Sequence, residues 1–70
     1  MTDKTLFLEV VKDSGLKKYE VASKMGMTAQ SLTNKLENVT SFTQAEMECF
    51  RRIFPKVSNA TFQKIFFASK

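Results

Sequence analysis

The chain is predicted to be all-α, a compact bundle of five short helices. Three observations carry this. Apolar residues recur at helical spacings almost throughout, and no stretch alternates as a strand does. Gly15, Gly26 and Pro55 are its only glycines and proline, and each falls where a helical pattern stops. Hydroxyl residues suited to capping, Thr28, Thr43 and Ser58, stand just before three of the patterned segments.

The first helix is expected over residues 3–13, with Leu6, Phe7, Val10 and Val11 on one face and Thr2 or Asp3 as cap. Ser14-Gly15 ends it, glycine supplying the left-handed residue that closes a helix, and Leu16 returns to the core. The second helix covers residues 18–25, with Val21, Ala22 and Met25 inward. Its cap position holds Lys17, a poor capping residue, although Glu20 places an acid in the first turn. Gly26 ends it and Met27 turns inward.

Thr28 caps the third helix, residues 29–37, whose buried side is only Leu32 and Leu36. The rest is small and polar, with amides and hydroxyls suited to hydrogen bonding with base edges. After a polar loop over residues 38–41, Thr43 and Glu46 form a capping box, and Phe42 with Met47 a hydrophobic staple. The fourth helix, residues 44–54, turns Met47, Phe50, Ile53 and Phe54 inward and stops at Pro55. Ser58 caps the fifth, residues 59–67, with a second staple from Val57 to Phe62. Phe62, Ile65 and Phe66 share a face. Phe67 does not, which leaves it either to wrap onto the first helix or to meet a partner.

Composition sets limits on function. Seventy residues, 43% hydrophobic and 26% charged, make one domain, 1–70, with a modest core. There is no histidine, the commonest general base and metal ligand, and the single Cys49 makes no internal disulfide or thiolate cluster. The nearest carboxylates, Glu46 and Glu48, diverge two residues apart on a helix, and capping accounts for Glu46. No enzyme activity, catalytic residue, metal or cofactor is therefore expected. Without a signal-like start or a membrane-length apolar run, the expected location is the cytoplasm, away from membranes. The net charge is +4 and unevenly placed: no acid lies between Glu20 and Glu37, and Arg51, Arg52, Lys56, Lys64 and Lys70 follow the last acid, Glu48. A polyanion-binding face needs such a bias.

The second and third helices and their short turn meet the demands of a helix-turn-helix unit over about residues 18–37. Close crossing needs a small residue, which Ala22 supplies; the turn needs positive φ, which Gly26 supplies. Val21, Met25, Met27 and Leu32 flank the crossing.

With these residues the chain resembles the Cro/C1-type helix-turn-helix family of phage repressors. The resemblance runs over about residues 5–67. It rests on Gly15-Leu16, on Val21-Ala22-Ser23-Lys24-Met25-Gly26-Met27-Thr28, and on Ser31-Leu32-Thr33-Asn34-Lys35-Leu36. Phe42-Thr43-Gln44-Ala45-Glu46-Met47 and Ile65-Phe66-Phe67 are similar to short phage Cro-like regulators. The resemblance implies a lambda-repressor-like DNA-binding domain acting on paired operator half-sites, as a homodimer on DNA, in a bacterial host cell. It places Ala29, Gln30, Thr33 and Asn34 against bases in the major groove. It places Lys17, Lys18, Tyr19 and Thr28 against phosphates, with Lys35, Asn38, Thr40, Ser41 and Thr43 on the other strand. The third helix has no arginine for guanine, which argues against a guanine-rich site.

The expected function is thus a sequence-specific DNA-binding transcriptional regulator. The alternative is a phage modulator or antirepressor that binds a partner repressor protein.

Overall fold

A computed structural model describes residues 1–68, so Lys70 of the basic C-terminal third lies outside the described residues. Five helices follow one another: α1 (Lys4–Asp13), α2 (Lys18–Lys24), α3 (Ala29–Leu36), α4 (Gln44–Ile53) and α5 (Asn59–Phe66). Among the described residues there is no strand, and no helix is long and apolar enough to cross a membrane. The all-α expectation holds. The second to fifth helices end one residue short of the expected limits, because their last residues are C-caps with non-helical backbone.

Each helix start follows from its cap. The side chains of Asp3, Thr28, Thr43 and Ser58 accept the backbone N–H three residues on, at 3.0–3.2 Å. The Thr43 box is complete, since the Thr43 N–H also donates to Glu46 Oε1 at 2.8 Å. At α2 only half a box forms. The Lys17 N–H donates to Glu20 Oε1 at 2.9 Å, while a lysine side chain has no acceptor to offer in return.

Three helix ends share one device. At α2, Gly26 has φ +74°; its N–H donates to Ser23 O, and the Met27 N–H donates to Ala22 O, both at 3.0 Å. This crossed pair turns the chain sharply and sends Met27 back toward the core. Gly15, at φ +80°, closes α1 through the Lys12 carbonyl. At α3 the left-handed residue is Asn38, φ +63°, whose N–H meets Lys35 O at 3.1 Å while Val39 N–H meets Asn34 O at 2.9 Å. Asparagine tolerates this conformation better than other non-glycine residues.

The core is aromatic. Phe50, fully buried, lies 5.2 Å from Phe7, 4.8 Å from Phe54 and 5.0 Å from Phe66 between ring centroids. Phe42 stacks on Phe7 at 5.8 Å, so the residue before α4 is as much core as α4 itself. Leu32 and Leu36 are the two buried residues of α3. Ala22 is buried on α2, whose most extensive helix contacts are with α3. Cys49 is half-buried, its thiol within 3.3 Å of the Lys24 carbonyl.

The start of the chain meets the end of α5. The Asp3 N–H donates to Ile65 O at 2.7 Å and the Ala68 N–H to Met1 O at 3.0 Å. The main chain thereby wraps onto the start of α1, but the Phe67 side chain remains 57% exposed.

Candidate nucleic-acid interface

Leu32 and Leu36 fix the rotation of α3, and that rotation decides what it presents. Gln30, Thr33 and Asn34 follow at three- and four-residue spacing along a different face. Ala29 and Gln30 are exposed; Thr33 and Asn34 are half-buried. The four expected base-reading positions therefore lie outside the core, with no acid among them.

Their polar atoms are already organised. Gln30 Nε2 donates to Asn34 Oδ1 at 3.1 Å. Gln30 keeps its own carbonyl oxygen as an acceptor and one N–H as a donor, while both Asn34 N–H groups stay available. Lys18 Nζ, from the start of α2, donates to Thr33 Oγ1 at 2.7 Å. The sequence reading placed Lys18 among the phosphate contacts; the structure turns its ammonium onto the α3 face.

The remaining expected phosphate contacts divide. Lys17 and Tyr19 are exposed at the start of α2. Thr28 and Thr43 are exposed, and each hydroxyl accepts a backbone N–H, which leaves its proton free to donate. Thr40 and Ser41 are exposed in the loop before α4. Tyr19, Ser23, Thr28 and Ser31 line an open polar depression that reaches Lys35 and Glu46.

Lys35 and Asn38 are committed elsewhere. The Lys35 side chain is only 11% exposed. Its ammonium donates to Ser41 O at 2.9 Å, lies 3.2 Å from Glu46 Oε1, and sits 5.9 Å from the Phe42 ring centre. A carboxylate, a carbonyl and a ring face together satisfy this cation, so it ties α3 to α4. Asn38 brackets the Thr2 backbone: Oδ1 accepts from the Thr2 N–H at 2.9 Å and Nδ2 donates to Thr2 O at 3.2 Å. Both side chains act as structural ties in this fold.

Two carboxylates are held ionised. Burial acts to raise the Glu46 pKa, but the Thr43 N–H and then Lys35 outweigh it and hold the carboxyl below its usual range. Glu37 is lowered mainly by its hydrogen bond and ion pair with Lys4, with a further contribution from the charge of Lys18. The Lys4–Glu37 pair joins α1 to the end of α3 across 33 residues of sequence, so no local pattern signals it. Glu46 is half-buried over its own cap and Glu48 is exposed. Comparison with protein-family models, curated proteins and solved structures finds no match to this chain.

Proposed function

We propose that the protein is a sequence-specific DNA-binding transcriptional regulator, a phage Cro-like repressor, in which α3 enters the major groove of operator half-sites. The observation that carries this reading is the exposed side of α3. Amides and a hydroxyl, free of acids, occupy Gln30, Thr33 and Asn34, with Lys18 of α2 bonded to Thr33 and the exposed Lys17 just before it. Neutral donors and acceptors read base edges, and flanking cations supply attraction and register.

The test is a gel shift with duplexes from the DNA flanking the gene. A preferred site is expected to survive non-specific competitor. Gln30→Ala should reduce that preference by roughly 1–3 kcal/mol, whereas Lys17→Ala should weaken all duplexes about equally. Binding that shows no preference, or that neither substitution changes, would end the reading.

A second reading is favoured by one observation, the exposed Phe67 ring beside Leu6 and Ala68. The protein would then be a modulator or antirepressor that binds a partner repressor. A tight stoichiometric complex with the cognate repressor, and no duplex shifted by this protein alone, would replace the first reading with this one.

A further inference from the structure

We propose that Lys18 and Thr33 form a specificity-determining pair that selects guanine within the half-site; this rests on the DNA-binding reading above. Lys18 Nζ donates to Thr33 Oγ1 at 2.7 Å, bridging the first residue of α2 to the exposed face of α3. An ammonium has three donors and no acceptor, and one donor is used here. Because the Thr33 oxygen accepts from Lys18, its own hydroxyl proton is left to donate. The pair thus offers three free donors, two ammonium protons and the hydroxyl proton, against one lone pair left on Thr33 Oγ1.

Guanine shows two acceptors, O6 and N7, on its major-groove edge. Adenine and cytosine each place an exocyclic N–H there, which would meet the pair donor against donor. Thymine offers one acceptor beside a methyl group. The donor-rich pair therefore ranks guanine, the one base with two acceptors on this edge, first. The Gln30–Asn34 pair alongside has a different character, because Gln30 keeps an acceptor with a donor and so suits adenine. The absence of arginine from α3 does not exclude guanine, since the cation arrives from the neighbouring helix.

Lys17 and Tyr19, both exposed, remain as backbone contacts.

The experiment is selection from duplexes carrying a randomised segment, followed by titration of the enriched site. The wild type is expected to enrich guanine at one position. Lys18→Gln and Thr33→Val, each checked by circular dichroism for an unchanged helical spectrum, should lose that enrichment and keep the rest of the site. Replacing that guanine by 7-deazaguanine should cost the wild type about tenfold in affinity and Lys18→Gln almost nothing more. If Lys18→Gln weakens every sequence alike with guanine still preferred, or if the enriched site holds no guanine, the pair is overturned while DNA recognition stands. If the wild type enriches no sequence, the DNA-binding reading fails and the pair fails with it.

Discussion

Asn38 holds together two parts of the chain that the sequence reading left unrelated, and two substitutions separate its contributions. Its left-handed backbone closes α3, and its amide brackets the Thr2 N–H and C=O at 2.9 and 3.2 Å. Asn38→Gly removes the bracket and leaves the backbone at ease. Two partly buried hydrogen bonds are together worth about 1–2 kcal/mol. Asn38→Ala removes the same bracket and also places a Cβ at φ +63°, which adds about 1 kcal/mol of left-handed strain. A domain of this length has a total stability of roughly 4–10 kcal/mol, so the expected losses of about 1–2 for Gly and about 2–3 for Ala are readily measured. Urea denaturation followed by far-ultraviolet circular dichroism is the assay, with the denaturant slope required to stay constant. Wild-type stability in Asn38→Gly would mean that the bracket does not form in solution. Equal losses in the two variants would mean that the residue is not left-handed. If Asn38 contacted phosphate instead, Asn38→Gly would weaken DNA binding with stability unchanged.

Three more perturbations test other parts of the fold and interface. Phe50→Leu removes the ring that contacts Phe7, Phe54 and Phe66, and should cost about 1–2 kcal/mol in the same urea assay; a loss near zero would mean a loosely packed core. Glu46 has a depressed folded-state pKa, so its contribution to stability is present above the unfolded pKa and is lost as pH falls through the folded one. Between about pH 6 and pH 3 the wild type should therefore lose more thermal stability than Glu46→Gln, and parallel loss would contradict the box. If the DNA-binding reading holds, the salt dependence of operator binding should be shallow, with a log–log slope of roughly −1 to −2 per protomer where only one or two cations such as Lys17 meet phosphate. A slope beyond about −5 would bring the C-terminal cations into the interface.

Much of the fold was legible because its signals are local. Caps at Thr28, Thr43 and Ser58 act over three residues, and Gly26 acts within one turn. The spacing of Leu32 and Leu36 likewise fixes which side of α3 is free. The candidate site was legible to the same extent: the sequence identified the face but not how its atoms are engaged. Lys35, Asn38 and Lys18 are phosphate contacts in the family resemblance, and the sequence shows none of their partners within the fold. Their partners, Glu46, Thr2 and Thr33, are 11, 36 and 15 residues away, beyond any helical spacing. Asn38 did carry a local signal, since asparagine just past the last apolar residue of a helix is a recognised stop.

The placement of charge connects the core with the candidate face. Arg51, part of the C-terminal surplus, lies 3.9 Å from the Phe62 ring centre and donates to Asn59 Oδ1 at 2.6 Å. It therefore works within the fold, joining α4 to α5. Lys4 and Lys35 face Glu37 and Glu46 in the same internal manner. The cations that remain beside α3 are those of α2, and one of these, Lys18, is turned onto the face itself. The net charge is +4, and Lys4, Lys18, Lys35 and Arg51 each hold their cation against a group of the fold itself. If the DNA-binding reading holds, Glu37→Gln removes one negative charge and leaves Lys4 without its carboxylate partner, so a gel shift should show affinity for every duplex rising together with the order of preference unchanged, and a changed order would count against the assignment of Lys18 to Thr33.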